Sequence, residues 1–243
     1  MKPRLVTVAH GTRAAEGPVT IHGLVRQVAR RMPNVDVVES YVELVEPSFS
    51  SVMERAEAPS VVVPLLLSTG YHVTTDLPAA ALRSPYPVVT ARPLGPHPLL
   101  AAAAAMRLRA AGAQRGDAVV MVAAGSTDPD AAVDTYVAGR LLQAHWGGAP
   151  VQIAHLSGEG LSVADAMANL RRDGHTRIAM SPYLLAPGHF AAKARTISVL
   201  HGATAVADVL GQHPLVAELV IRRYLTAMRA SVGLGTARRA RVA

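Results

Sequence analysis

Three side chains of the types that bind divalent metals each follow a predicted β-strand in the first part of the sequence. His10 comes directly after a short apolar run, Glu43 follows a β-branched segment, and His72 lies one short loop after a continuous apolar run. In parallel α/β sheets ligands bind outside the carboxyl ends of the strands, so we expect these side chains to converge. Imidazole and carboxylate groups together suit Fe(II), Co(II), Ni(II) or Zn(II). The sequence therefore predicts a site for one of these metals.

Each member of this site has an alternative role. His10 could hydrogen-bond its own loop, although the neighbouring Gly11 favours a close approach of the backbone to a ligand. Glu43 could be a solvated carboxylate, and Glu46 is a rival for its place, although a position beside a proline is more typical of a helix start. His72 could cap the helix that follows it.

The loop before His72 is rich in groups that bind anions. It consists of Leu67, Ser68, Thr69, Gly70 and Tyr71. Its hydroxyls and backbone N–H groups are of the kind that binds a carboxylate or a phosphate.

The other histidines fit structural roles better. His97 and His213 each precede a proline, which is typical of the first turn of a helix. His155 ends a predicted strand in the second half, and His189 occupies the position there that corresponds to His72. A role for these last two stays open.

Apolar or β-branched runs alternate with helical segments along the chain. The predicted strands are 5–9, 35–42, 61–67, 88–91, 118–123, 151–156, 177–180 and 204–207. The predicted helices are 17–32, 47–58, 75–83, 99–111, 131–145, 163–172, 191–200 and 214–228. This alternation predicts the α/β class, with parallel sheets, right-handed crossovers and helices on both faces. We expect two similar flavodoxin-like or Rossmann-like lobes that face each other across a cleft.

An internal duplication divides the chain. The string L-G-P-H-P-L at residues 94–99 recurs as L-G-Q-H-P-L at 210–215, 116 residues further along. Two weaker matches occur in the same order at nearly the same offset. We therefore predict an N-terminal lobe over 1–114, a C-terminal lobe over 115–232 and a loose basic tail over 233–243. The second lobe has Ala124 where the first has His10, and no carboxylate in place of Glu43, so we expect one complete site per chain.

Composition narrows the function classes. The chain of 243 residues is 50% apolar and 17% charged, which excludes a disordered chain. It has no cysteine, so disulfides, thiolate catalysis and iron–sulfur clusters are excluded. The net charge of +7 favours an anionic partner such as a polycarboxylate. No uncharged apolar run reaches the roughly 18 residues of a membrane span, and the N-terminus makes a poor signal peptide, so a cytoplasmic location is expected.

Common motifs of other enzyme classes are missing. There is no G-x-G-x-x-G after a strand, no P-loop, no H-E-x-x-H and no G-x-S-x-G. Basic patches with interleaved aromatic residues are absent too, so a nucleic-acid partner is not expected. The A-H-G-T-R string is faintly similar to histidine phosphatases, but their arginine before the histidine is replaced here by Ala9.

Three strings resemble the sirohydrochlorin chelatases, the CbiX/SirB-type class II tetrapyrrole chelatases. They are V-A-H-G-T-R at 8–13, E-L-V-E-P-S at 43–48 and V-V-P-L-L-L-S-T-G-Y-H-V-T-T-D-L-P at 62–78. The resemblance is strongest over residues 4–100 and weaker over 115–225. It implies a long form of the family with two chelatase-like lobes in one chain.

The resemblance also implies an activity and a set of site residues. The family inserts Fe(II), Co(II) or, in some members, Ni(II) into sirohydrochlorin or a close relative. His10 and His72 match paired histidines that bind metal and take up pyrrole protons, and Glu43 matches an acidic position of some members. Val45 and the loop Leu67–Tyr71 match the region that contacts the macrocycle.

On this basis the expected protein is a lyase that binds no permanent cofactor and takes a divalent metal as substrate. Fe(II) and the sirohaem pathway are favoured, and cobalt for the corrin route of cobalamin synthesis is the alternative. A non-enzymatic tetrapyrrole or metal carrier on the same fold stays open. So does the oligomeric state, monomer or homodimer.

Overall fold

Two four-stranded parallel sheets form the centre of the molecule. The computed structural model describes residues 2–240, with side chains described over 2–230. The first sheet has the order β2-β1-β3-β4, from strands β1 (Arg4–Ala9), β2 (Val37–Tyr41), β3 (Ser60–Pro64) and β4 (Val88–Thr90). The second has the order β6-β5-β7-β8, from strands β5 (Ala118–Ala123), β6 (Val151–His155), β7 (Ile178–Tyr183) and β8 (Ala205–Val206).

Helices connect the strands and cover both faces of each sheet. They are α1 (Glu16–Arg31), α2 (Phe49–Glu54), α3 (Leu77–Ala81), α4 (Pro98–Ala110), α5 (Pro129–Trp146), α6 (Val163–Arg172), α7 (His189–Leu200) and α8 (Pro214–Ala240). The predicted α/β class with two similar lobes is confirmed. Because helices lie on both sides, every residue of the inner strands β3, β5 and β7 is buried, which explains their continuous apolar runs.

Three helices differ most from their predicted bounds, and the others begin or end within two residues of them. Helix α2 begins only after Ser48, whose side chain accepts the backbone N–H of Ser51 and so caps the helix. The helix predicted from 75 begins instead as a π-helical turn, His72–Asp76, that continues into α3. Helix α8 continues to Ala240, so residues 233–240, expected as a loose tail, are helical, and 241–243 lie outside the described residues.

The last helix of each half packs on the sheet of the other half. Helix α4 follows the first sheet but packs on α5 and β7 of the second lobe, and α8 packs on α1, β3 and β4 of the first. The contacts come in equivalent pairs. Arg107 Nη2 donates to the carbonyl of Leu210 at 3.2 Å, and Arg223 Nη2 donates to that of Leu94 at 3.0 Å. One hydrophobic core therefore runs through both lobes.

A histidine caps each of the two helices that pack on the other lobe, α4 and α8, as predicted from the sequence. His97 Nδ1 accepts the N–H of Leu99 at 3.1 Å, and His213 Nδ1 accepts that of Leu215 at 3.2 Å. Burial lowers the pKa of both imidazoles, and the nearby charges of Arg223 at His97 and Arg107 at His213 lower them further. The folded protein thus favours the neutral ring, whose Nδ1 lone pair makes the cap.

Among the described residues, no helix has the length and apolar character of a membrane span.

These caps predict an acid-sensitive junction between the lobes. Because the pKa of each imidazole is lower in the folded than in the unfolded chain, the unfolded chain binds more protons as the pH falls below about 6.5, and stability falls with it. Replacing both histidines by asparagine keeps a capping acceptor and removes the titration. We expect the H97N/H213N double variant to lose less free energy of unfolding than the parent between about pH 7.5 and about pH 5.

Denaturant unfolding at the two pH values measures this difference. His145→Asn is the matched control, because His145 is exposed at the end of α5. Equal acid-induced losses in the parent and the double variant would contradict the assignment.

Candidate metal site

The carboxyl ends of β1, β2 and β3 bring the three predicted ligands together. His10, Glu43 and His72 each offer one ligand atom, and these atoms all lie within 4.8 Å of one another. His10 Nδ1 is 3.6 Å from Glu43 Oε1, and the rings of His10 and His72 are perpendicular with centroids 4.8 Å apart. Within residues 2–230 this is the one group of three or more such side chains close enough to share an ion.

Backbone packing between the first two strand ends sets this geometry. Gly11 has a φ of +100°, and a Cβ there would lie 1.9 Å from the carbonyl oxygen of Glu43. Only glycine permits this approach. A hydrogen bond of 3.1 Å from the N–H of Glu43 to the carbonyl of His10 also joins the two segments. The two side chains are therefore held on adjacent, touching segments.

The residue after Glu43 has an unusual conformation that the sequence did not predict. Leu44 has a φ of 67°, which is rare for a residue with a bulky side chain. Its side chain is half exposed and lines the cleft, whereas Val45 is partly buried against the main core and is not among the lining residues. The left-handed turn thus places Leu44 in the cleft wall, and contact of Val45 with a ligand stays a prediction.

The rival carboxylate Glu46 has a different partner. Its Oε2 accepts the backbone N–H of Ser48 at 2.7 Å, just before α2. It is not part of the metal-ligand group. The position beside Pro47 is therefore a helix-start position, as the sequence suggested, and Glu43 is the carboxylate near the histidines.

His72 is oriented by a carboxylate that sequence analysis missed. His72 begins the π-helical turn, and its Nδ1 lies 2.6 Å from Asp76 Oδ2 at the end of the same turn. Because a carboxylate accepts, Nδ1 donates its proton, and the lone pair of Nε2 is left for a metal or another acceptor role. The i,i+4 spacing in H-V-T-T-D was the available sign of this pair. Single-turn π-helices are frequent at functional sites.

A cleft of about 1640 Å³ opens between the lobes beside this group. The loop of residues 65–71, called here the cleft loop, lines it, including the predicted residues Leu67, Ser68, Thr69, Gly70 and Tyr71. Tyr71 is 65% exposed, and its ring centroid lies 6.3 Å from that of His72. The first lobe also contributes His10 and His72.

The wall from the second lobe is different in chemistry. It is mostly apolar and includes Leu184, Leu185, Pro187 and Phe190. Arg195 also lines the cleft, with Nη2 3.1 Å from Asp208 Oδ1, and Arg13 is a second cation on the opposite side. The cleft therefore combines a wall that carries His10 and His72, an apolar wall and cationic groups.

The second lobe repeats the backbone of the site without its ligands. Gly125 has a φ of +95°, and a Cβ there would lie 1.9 Å from the carbonyl of Ser157. Ala124 stands in the place of His10 and Ser157 in that of Glu43, and Ser157 Oγ donates to the carbonyl of Ala124 at 2.7 Å. His189 is exposed at the start of α7 beside Phe190.

His155 ends β6 and also lines the cleft. It pairs with Ala123 in register, as Tyr41 pairs with Ala9 in the first lobe. Burial lowers the pKa of His155, and its buried Nδ1 has no hydrogen-bond partner in the structure. His155 is therefore a neutral wall residue of the cleft.

Comparison with known proteins places this geometry in a family. A model of the CbiX family matches residues 4–111 and 118–227. The sirohydrochlorin ferrochelatase of Bacillus subtilis (strain 168) is 27% identical over 198 residues, which cover 77% of this chain and 76% of that protein.

Solved structures show the same fold. SirB from Bacillus subtilis with Fe3+ has a TM-score of 0.80 and 25% identity, and the match covers 96% of this chain and 98% of that one. CbiX, described as the terminal enzyme for siroheme biosynthesis in denitrifying bacteria, has a TM-score of 0.66 at 21% identity, covering 92% and 99%. The resemblance drawn from the three sequence strings is confirmed. With the family model covering both halves, this chain belongs to the CbiX family.

Proposed function

We propose that this protein is a sirohydrochlorin chelatase, which inserts a divalent metal into sirohydrochlorin. The observation that carries the proposal is the convergence of His10, Glu43 and His72 beside a cleft between two lobes. The 27% identity to a sirohydrochlorin ferrochelatase supports the same reaction class. The metal is a substrate here, and no permanent cofactor is proposed.

The reaction sets two tasks for the side chains. Metal insertion must remove two pyrrole N–H protons and must strip water from the metal. We assign the metal to His72 and Glu43. His72 suits this role because Asp76 occupies its Nδ1 and leaves Nε2 free, as second-shell carboxylates do in metal sites.

His10 is the principal proton acceptor in this mechanism. Its nearest carboxylate is that of Glu43, 3.6 Å from Nδ1. When His10 takes up a pyrrole proton, the imidazolium that forms is stabilised by this negative charge. The half-exposed ring also has access to solvent, to which it can pass the proton.

The cleft accounts for the macrocycle. Its volume of about 1640 Å³ is larger than the roughly 300–1,000 Å³ of sites for drug-sized ligands, which suits a tetrapyrrole. The apolar wall of Leu184, Leu185 and Phe190 contacts one face of the ring. Arg13 and Arg195 are available to the carboxylates of sirohydrochlorin. Because both lobes belong to one chain, a monomer is sufficient for this arrangement.

Fe(II) is the proposed physiological metal, for sirohaem synthesis. Imidazole and carboxylate ligands also accept Co(II) and Ni(II), since affinity follows the Irving–Williams order. The related SirB structures hold Fe3+ in one case and cobalt in the other. Cobalt insertion for the corrin route is therefore the alternative.

Replacing His10 by alanine tests the proposed base. We expect His10→Ala to slow insertion by about 10²–10⁴-fold, the range for loss of a general base. The fold should be unchanged because the side chain is half exposed. The measurement is anaerobic insertion of Fe(II), Co(II) and Ni(II) into sirohydrochlorin, followed by its visible spectrum. His145→Ala, at the remote end of α5, is the control.

Two results would change the proposal. A rate for His10→Ala within about three-fold of the parent would remove His10 as the base. Tight binding of sirohydrochlorin without any acceleration by the parent protein would favour a tetrapyrrole carrier instead.

Asp76→Asn tests the orientation of His72. Losing the carboxylate that fixes the imidazole should weaken Co(II) binding by about 10–100-fold, as other second-shell changes do. Equilibrium titration followed by the visible absorption of bound Co(II) measures this. Asp173→Asn, at the exposed end of α6, should bind as the parent does. Equal affinity in both variants would show that Asp76 does not support the metal ligand.

A further inference from the structure

The second lobe holds the cleft loop that leads to His72. The backbone N–H of Thr69 donates to Asp134 Oδ2, in helix α5, at 2.7 Å. The carbonyl of Leu67 accepts from the hydroxyl of Tyr183, at the end of β7, at 3.0 Å. Both partners belong to the lobe that has no metal ligands of its own.

We propose that Asp134 and Tyr183 are positioning residues that fix the cleft loop, and through it His72, so that the metal site is complete only when the second lobe is in place. The inference rests on the proposed function for its effect on metal insertion, but its effect on metal binding is independent of that function.

The hydrogen bonds of the loop explain why this attachment matters. Before the contact segment, Leu66 is tied to its own lobe, since its carbonyl accepts from Leu94 and Gly95. After it, Gly70 accepts from the N–H groups of Val73 and Thr74. The hydrogen bonds found for residues 67–69 both reach the second lobe. Thr69 is three residues from His72, so a displacement of this segment is passed to the ligand.

Local packing makes the Tyr183 contact specific. Tyr183 is only 7% exposed. A Cβ on Gly95 would lie 2.0 Å from the carbonyl oxygen of Leu67 and 2.2 Å from the tyrosine hydroxyl. The glycine therefore leaves just enough room for this hydrogen bond. Burial, together with the charge of Asp134, raises the pKa of Tyr183, so the hydroxyl keeps its proton and remains a donor.

The first lobe has no counterparts of Asp134 and Tyr183 that could make these hydrogen bonds to the second lobe. The equivalent of Asp134 in the first lobe is Thr20, whose hydroxyl donates to the carbonyl of Glu16 in its own helix. Strand register makes Leu65 the equivalent of Tyr183, and a leucine has no hydroxyl to donate. The second lobe thus supports the loop of the first, whereas its own loop receives neither contact.

Variants at Asp134 test this proposal directly. Asp134 does not line the cleft, so Asp134→Ala removes the hydrogen bond without removing a ligand contact. We expect the Kd for Co(II) to rise about ten-fold in the absence of tetrapyrrole. Asp134→Asn retains an acceptor oxygen and should keep Kd within about three-fold of the parent. Asp130→Ala is the control, one turn earlier on α5, exposed and outside the cleft lining.

Tyr183→Phe provides a second variant that keeps the packed ring. It should raise the Kd for Co(II) several-fold, by about three-fold or more. Because Asp134 does not touch the substrate, Asp134→Ala should lower kcat for insertion and leave KM for sirohydrochlorin near that of the parent. Folding of each variant is checked by circular dichroism.

The outcomes separate the two proposals. Co(II) affinities of Asp134→Ala and Tyr183→Phe equal to that of Asp130→Ala would overturn the positioning role. Weakened Co(II) binding in both variants supports it, even if the parent protein inserts no metal. In that last case the chelatase assignment fails, and the contribution of the second lobe to metal binding stands.

Discussion

The convergence of His10, Glu43 and His72 depends on the parallel pairing of β1 with β2 on one side and β3 on the other. Because the three strands run in one direction, their carboxyl ends lie at one edge of the sheet, and side chains of the segments that follow them become neighbours. Gly11 then lets one strand end touch the next, with room for no side chain. Residues separated by more than sixty positions in sequence are thereby held within 4.8 Å.

Duplication of this scaffold has produced two lobes with different roles. The second lobe retains the glycine turn at Gly125 but has alanine and serine where the first has ligands. It contributes an apolar wall to the cleft and hydrogen bonds to the cleft loop. Because α4 and α8 each pack on the sheet of the other lobe, the two lobes share one continuous core. This shared core limits how far the two walls can move apart without disrupting packing.

Sequence alone predicted the architecture and the convergence of His10, Glu43 and His72 at one edge of the sheet, and their binding of a metal stays a prediction. Buried parallel strands have continuous apolar runs, and the rule that ligands bind at strand ends then selected His10, Glu43 and His72. The contacts that support them were not predicted. Asp76 is marked in the sequence only by its i,i+4 spacing from His72, and the π-helical turn that pairs them is not revealed by residue type. Asp134 depends on the packing between lobes and leaves no local pattern. The place of Leu44 in the cleft wall follows from one backbone angle that residue type does not reveal.

The proposed mechanism requires that Glu43 and His72 bind one metal ion beside His10. Anomalous diffraction from crystals of the protein soaked in Co(II) tests it most directly. We predict the strongest anomalous peak within coordination distance of the Glu43 carboxylate and His72 Nε2, beside the His10 ring. A peak at another set of side chains, or none at this position when Co(II) is saturating, would contradict it.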